Sequence, residues 1–124
     1  MPVTRAADAE VHEMHGTRFT SYIRPGTGSA ELCVWQIQVS AETEGVPHKV
    51  LREEAFVVIQ GAVTITIDGQ AEALVAGDAA VAPANSMIAL TNSAAEPAVL
   101  VVTVPVGFQG ELPDGTVINP PWVG

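Results

Sequence analysis

The central part of the chain, residues 45–92, limits the fold most strongly. It holds several short apolar segments separated by glycine, proline and an Asp68-Gly69 pair, and none of them has the period of an amphipathic helix. Asp-Gly between two apolar segments is a strong signal for a two-residue hairpin turn. Short strands at close, even intervals with such turns are typical of β-sandwiches and barrels. We therefore predict an all-β domain.

Segments on both sides of this region also have strand character. Residues 31–39 alternate so that Cys33, Trp35, Ile37 and Val39 share one face, and residues 17–24 mix β-branched, aromatic and polar side chains. A chain of 124 residues forms one domain. We divide it into an N-terminal arm (1–16), either helical or extended, a barrel (17–106) and a C-terminal tail (107–124). The tail should cross the barrel or a neighbouring subunit, because Trp122 would otherwise be an exposed aromatic.

The charge balance excludes several partners. Fourteen Asp and Glu against five Lys and Arg give a formal net charge of -9, which repels phosphate backbones and anionic lipids. We therefore expect no nucleic-acid and no membrane partner. The single cysteine, Cys33, fits a reducing compartment, and residues 1–13 lack an apolar signal core. We predict a cytoplasmic protein.

Two groups of residues lie at characteristic spacings. The first contains His48, Glu54 and Gly61, and the second contains Gly77, Pro83 and Asn92. Both resemble motifs of the cupin superfamily, G-x5-H-x-H-x3,4-E-x6-G and G-x5-P-x-G-x2-H-x3-N. Four positions depart from these motifs: Glu42 and Asn85 replace glycines, and Val50 and Ile88 replace histidines.

The resemblance implies a double-stranded β-helix, that is, a jelly-roll barrel with an internal pocket, and we expect a homodimer. In metal-binding cupins three histidines and the glutamate hold iron, manganese, nickel or zinc. Only His48 and Glu54 remain here, and two ligands are usually too few to retain a divalent ion. We therefore favour no metal cofactor. The alternative is a metal-dependent, dioxygenase-like cupin with iron, zinc or manganese held by His48, Glu54 and either His12 or His15.

His48 and Glu54 are the candidate catalytic pair. If strand alternation holds, both point into an apolar interior, where they could transfer protons in a cyclisation, isomerisation or dehydration. The expected substrate is a small, largely apolar organic molecule, and short cupins of this kind resemble tailoring enzymes of natural-product pathways. A non-catalytic binding module is the other alternative. The predicted ligand-binding residues are Tyr22, Trp35, Gln36, Val50, Arg52, Phe56, Val58, Gln60, Met87, Ile88 and Leu90.

Overall fold

The computed structural model describes residues 2–124, which form two six-stranded antiparallel sheets packed face to face. The first sheet has the order β1 (Glu10–Met14), β2 (Thr17–Ile23), β3 (Leu32–Val39), β10 (Ala98–Pro105), β5 (Glu54–Gln60), β8 (Ala79–Ala82). The second has the order β12 (Val117–Ile118), β11 (Gly110–Glu111), β4 (His48–Val50), β9 (Met87–Thr91), β6 (Ala62–Ile67), β7 (Gln70–Val75). Single 3-10 turns lie at Ala6–Asp8, Pro25–Thr27 and Pro121–Val123. The predicted all-β jelly-roll fold is confirmed.

The apolar core lies between the two sheets. Strand β3 alternates as its sequence predicts, with Cys33, Trp35, Ile37 and Val39 buried and the intervening residues more exposed. Strand β10 is the centre of the first sheet and pairs with β3 on one side and β5 on the other. The inward face of the barrel is therefore almost entirely hydrocarbon, and any polar group placed there loses its water.

The hairpin between β6 and β7 confirms the turn predicted at Asp68-Gly69. Both residues have positive φ, 49° and 82°, as a type I′ turn requires. The Asp68 carboxylate also accepts a hydrogen bond of 2.8 Å from the Met87 backbone N–H. This contact ties the hairpin to the first residue of β9.

Two motif positions keep a left-handed backbone although they no longer carry glycine. Glu42 has a φ of 55° and Asn85 a φ of 70°. Asn tolerates this conformation better than other residues do, whereas Glu is strained there. The substitutions therefore preserve the turns that the motif glycines would form.

Asn92, at the last position of the second motif, organises the end of β9. Its side chain is buried, and its Nδ2 donates to the carbonyl oxygens of Val39 at 3.2 Å and Glu96 at 2.8 Å. Its Oδ1 accepts from the Ala94 N–H at 3.0 Å. Asn92 therefore joins β3, β9 and the loop before β10.

Both ends of the chain are built into the barrel. The N-terminal segment, left open between helix and extended arm, forms β1 and pairs along β2 at the edge of the first sheet. The C-terminal segment adds β11 and β12 to the second sheet and ends with Trp122 buried. None of the helices in residues 2–124 has the length and apolar character needed to cross a membrane.

Candidate functional site

Glu54 is the buried carboxyl group of the barrel interior. It begins β5, is 6% exposed, and its Oε1 has no hydrogen-bond partner within the described chain. Burial without a compensating charge disfavours the carboxylate, and this raises the pKa of Glu54 from 4.5 to about 8. The group is therefore predominantly protonated near neutral pH. It can donate a proton there, and its carboxylate can then take one back.

His48 lies on β4 in the opposite sheet and is half-buried. It pairs with Ile88 of β9, and its Nδ1 lies 3.1 Å from the carbonyl oxygen of Val46. Because a carbonyl oxygen only accepts, this contact assigns the ring proton to Nδ1 and leaves the lone pair on Nε2. The histidine is thus held by a local contact in a tautomer that can act as a base.

No hydrogen bond or ion pair joins His48 to Glu54 within residues 2–124. Burial is the cause of the raised pKa of Glu54, with no contribution from the imidazole. The two side chains therefore lie apart, on facing sheets. A substrate that used both groups would have to extend across the interior from Glu54 to His48.

The structure does not assemble the ligand set of a metal centre. Residues 2–124 contain no group of three His, Cys, Asp or Glu side chains close enough to hold an ion. Val50 and Ile88, at the histidine positions of the motifs, are buried in the core. The chain's residues therefore do not fit the metal that the fold family implies.

The N-terminal histidines do not reach His48 and Glu54, which corrects the arrangement considered for a third ligand. His15 is exposed in the β1–β2 turn. His12 lies on β1, with its Nε2 3.1 Å from Glu10 Oε1. This distance suits an ion pair, but the ring N–H is not aimed at the carboxylate, so no hydrogen bond forms. Pairing of β1 along β2 keeps both histidines at the edge of the sheet.

The predicted ligand-binding residues divide between the two faces of their strands. Those that point inward are Trp35, Val50, Phe56, Val58, Ile88 and Leu90. Arg52, an exposed residue just before β5, and the strand residues Gln36 and Met87 do not share that face, so their assignment to the pocket is wrong. The reason is strand alternation: Gln36 follows buried Trp35, and Met87 precedes buried Ile88. Gln60 is wrong for another reason, since it is exposed at the end of β5, beyond a shift in register with β10. Tyr22 is half-buried in a bulge of β2 between Ser21 and Ile23.

An aromatic cluster that the sequence did not reveal closes one side of the barrel. The indole of Trp122 stacks on Phe19 with ring centres 3.7 Å apart, and it lies tilted against Trp35 at 6.3 Å. Phe108 also contacts Trp35, at 6.4 Å. The indole N–H of Trp122 is buried without a hydrogen-bond partner. The sequence indicated only that Trp122 should be buried, because an exposed tryptophan is unfavourable. It did not indicate which residues Trp122 contacts.

Hydrogen bonds hold the C-terminal segment in this place. Ser21 Oγ donates to the Trp122 carbonyl oxygen at 2.9 Å, and the buried Cys33 thiol lies 3.5 Å from the Val123 carbonyl oxygen. Arg24 Nη1 donates to the Gly124 carbonyl oxygen at 3.4 Å. The register aligns Cys33 with Val104 in the next strand. Glu54 begins β5, the strand on the other side of β10. Two strand spacings, about 10 Å, therefore separate it from β3. The tail therefore covers the same end of the first sheet that carries Glu54.

Two open grooves lie on the outside of the barrel. One groove of about 490 Å³ is on the outer face of the first sheet, and another of about 450 Å³ is beside the β1–β2 turn. Neither groove is lined by Glu54 or His48. Glu54 itself is 6% exposed, so little of its carboxyl group is open to a ligand in this conformation.

Comparison with known proteins agrees with this architecture. A family model described as a cupin domain matches residues 33–104, more than half of the chain. The chain therefore belongs to the cupin family. Comparison with curated protein sequences gives no match.

Three solved structures illustrate the likeness of fold. The polyketide cyclase RemF from Streptomyces resistomycificus superposes with a TM-score of 0.79 at 17% identity, covering 96% of this chain and 84% of that one. An RmlC-like cupin from Shewanella frigidimarina gives 0.69 at 19% identity, covering 83% and 88%. Salicylate 1,2-dioxygenase from Pseudoaminobacter salicylatoxidans gives 0.67 at 21% identity, covering 77% of this chain but 26% of that one. At these identities the likeness establishes the fold alone, and any activity has to be argued from the residues of the site.

Proposed function

We propose that the protein is a metal-independent proton-transfer enzyme that acts on a small, largely apolar organic molecule inside the barrel. The observation that carries this proposal is Glu54, an unpaired carboxyl group buried in hydrocarbon. A structural glutamate at such a position normally has a partner, because an unsatisfied buried polar group costs about 1–3 kcal/mol. A buried carboxyl group that is kept without a partner, despite this cost in stability, is typical of a functional site.

Glu54 has the acid strength that general acid–base catalysis needs. A catalytic acid or base works best when its pKa lies near the operating pH, and the pKa of Glu54 is about 8. The protonated carboxyl donates to a substrate oxygen as negative charge develops there, and the resulting carboxylate accepts a proton from a neighbouring carbon. His48 Nε2, across the interior on β4, serves as the second acid–base group.

Cyclisation is the reaction that we favour among those driven by proton transfer. A polyketide cyclase shares this fold over 96% of the chain, which supports the choice without assigning the activity. The apolar interior also suits an extended carbonyl-bearing chain, because folding such a chain buries carbon surface and leaves few oxygens to be paired. Isomerisation and dehydration use the same acid–base step.

Access to Glu54 requires an opening, and the C-terminal segment is the element that can provide it. Its hydrogen bonds to the barrel are few, and the contacts from Cys33 and Arg24 are long, at 3.5 and 3.4 Å. We propose that residues 119–124 move when the substrate enters. The aromatic side chains beneath Trp122 would then contact the substrate.

The test is turnover of a panel of linear and partly cyclised poly-β-carbonyl compounds, followed by chromatography and absorbance. Glu54→Gln keeps the size of the side chain and removes the transferable proton, so turnover should fall about 10²–10⁴-fold. Glu53→Gln, at the exposed neighbouring position, is the matched control and should keep full turnover. Turnover by Glu54→Gln at the wild-type rate, or no turnover by the wild type, would contradict the proposal.

The metal-dependent alternative has its own measurement. The wild type is purified without added metal and assayed before and after treatment with a chelator. Turnover that disappears with the metal and returns with iron, zinc or manganese would replace the present proposal.

A further inference from the structure

We infer that the side chain of Trp122 fills a binding slot for a planar, hydroxyl-bearing fused-ring aromatic molecule, which displaces the C-terminal segment when it binds. The slot is the space between Phe19, Trp35 and His12. The indole lies on the Phe19 ring with centres 3.7 Å apart and planes inclined by 10°, and Trp35 forms a tilted wall at 6.3 Å. A flat two-ring molecule makes the same contacts once the segment has moved. The inference rests on the opening of residues 119–124 proposed above and names the class of molecule that the opening admits.

Strand register places the slot on the inner face of the first sheet. Phe19 on β2 pairs with His12 on β1 and with buried Ile37 on β3. The slot therefore continues directly into the apolar interior. Three strand spacings, about 14 Å, lie between β2 and the strand that begins with Glu54. A ring in the slot would hold a part of the substrate that is remote from the reacting end.

Two buried nitrogen atoms at the slot lack a hydrogen-bond partner within residues 2–124: Nε1 of Trp122 and Nε2 of His12. The two rings are neighbours, with centres 6.3 Å apart and planes inclined by 54°. A buried indole N–H in a permanent core contact is normally paired, because leaving it unpaired is costly. The indole thus fits the slot in shape and leaves its polar group unused. A hydroxyl group both donates and accepts, so a hydroxylated ring can pair with His12 Nε2 in either tautomer.

The charges beside the slot favour a neutral ligand. Glu10 Oε1 lies 3.1 Å from His12 Nε2, and the Arg24 guanidinium is already paired with Glu10 Oε2 at 2.9 Å. A carboxylate on the ligand would approach the Glu10 carboxylate, and the formal net charge of -9 adds to the repulsion. A phenolic hydroxyl avoids this repulsion.

The contacts that hold residues 121–124 can be replaced when the segment moves. Within residues 2–124, four hydrogen bonds join these residues to the barrel, from Ser21 Oγ at 2.9 Å, the Gly26 N–H at 3.2 Å, Arg24 Nη1 at 3.4 Å and Cys33 Sγ at 3.5 Å. All four are accepted by main-chain carbonyl oxygens, which water can satisfy after displacement. Stacking of the indole is the main apolar contact that is lost, and the ligand supplies its own stacking in return.

Binding of 2-naphthol tests the inference, and the indole N–H of Trp122 reports the displacement. Calorimetric titration of the wild type should show saturable binding at one site per chain. An isotope-labelled sample gives two indole N–H signals in nuclear magnetic resonance, one per tryptophan, and Trp122→Phe assigns the signal of Trp122. At saturation this signal should begin to exchange rapidly with water, because the indole has left the core. Absence of binding, or binding that leaves the Trp122 N–H protected, would overturn the inference.

Two serine variants form a matched pair. Ser21 and Ser86 are both buried and each donates to a main-chain carbonyl oxygen, Ser21 to Trp122 and Ser86 to Pro83 in the loop between β8 and β9. Ser21→Ala should raise the affinity for 2-naphthol about three- to ten-fold, because a larger fraction of the molecules then has an open slot. Ser86→Ala should leave the affinity unchanged. Equal affinities for Ser21→Ala and the wild type, or an equal gain in Ser86→Ala, would contradict displacement of the segment.

Naphthalene, which lacks the hydroxyl group, tests the role of His12. The wild type should bind 2-naphthol about three- to ten-fold more tightly than naphthalene. His12→Phe keeps a ring and removes both nitrogens, so it should bind the two compounds equally, whereas His12→Gln should keep part of the preference. A preference that His12→Phe retains would refute recognition of the hydroxyl by His12.

Binding and turnover separate this inference from the proposed enzyme. A wild type that binds 2-naphthol with displacement of Trp122 but turns over none of the poly-β-carbonyl compounds would refute the enzyme and support the slot. Turnover by a protein that does not bind 2-naphthol would refute the slot and leave the enzyme standing.

Discussion

Replacing Glu54 by Gln should remove a large pH dependence from the stability of the protein. The folded chain holds the Glu54 proton up to about pH 8, whereas the unfolded chain releases it near pH 4.5. Between these values the unfolded state binds fewer protons than the folded state, so the free energy of unfolding falls as the pH rises. The stabilising effect of the protonated group is complete below about pH 4.5, and its loss is complete above about pH 8.

The size of this effect follows from the two pKa values. Each pH unit between them corresponds to about 1.36 kcal/mol. The loss in wild-type stability is therefore about 3 kcal/mol at pH 7 and about 5 kcal/mol above pH 8. Gln fills nearly the same volume and stays neutral, and its unpaired amide costs about as much as the protonated carboxyl. Wild type and variant should have similar stability near pH 4.5, and the variant should be more stable at pH 8.

Urea unfolding of both proteins at several pH values between about 5 and 8 measures this difference. The difference between the two curves isolates Glu54, because every other titrating group is present in both proteins. Glu53→Gln is the control, since its exposed carboxyl should give a flat difference. A flat difference for Glu54→Gln as well would show that Glu54 is ionised in the folded protein, and the reasoning from burial would be refuted.

Three further changes test the structure around the site. Asn92→Ala removes three hydrogen bonds and should cost about 2–3 kcal/mol in urea unfolding, and an unchanged midpoint would contradict the role of its side chain. Trp122→Ala should cost about 3–5 kcal/mol and Trp122→Phe much less, with near-ultraviolet circular dichroism reporting the loss of stacking on Phe19. Gly45→Ala should lower the melting temperature far more than Gly69→Ala, because a Cβ at Gly45 would overlap the Leu90 carbonyl oxygen of β9, whereas at Gly69 the space is open and only the positive φ opposes Ala, at about 1–2 kcal/mol. Equal effects would show that the close approach at Gly45 is relieved at little cost.

The candidate site was only partly predictable from the sequence. Its motif spacing identified Glu54 and His48, and strand alternation placed Trp35, Phe56 and Val58 correctly on the inner face. The sequence did not reveal that the buried Glu54 side chain lacks a hydrogen-bond partner. That fact depends on which atoms of other strands approach the carboxyl group, and no local pattern encodes such distances.

Assignment of the polar lining residues failed for a related reason. Gln36 and Gln60 were chosen because a pocket needs polar contacts. Gln36 lies on the outer face next to buried Trp35, whereas Gln60 is exposed at the end of β5, beyond a shift in register that the sequence does not show. Alternation within one strand fixes relative facing, but the register between strands decides which face meets the core. The sequence alone gives the first and leaves the second open at short or irregular strands.

The fold class, the faces of β3 and the Asp68-Gly69 hairpin could be read from the sequence, because these depend on side-chain period and turn chemistry within a few residues. The position of the C-terminal segment, in contrast, is visible only in the folded chain. Trp122 meets Phe19 and Ser21, about a hundred positions away, and this contact closes the barrel over the sheet that carries Glu54. Contacts between distant segments arise from the packing of the whole chain, and no short stretch of sequence specifies them.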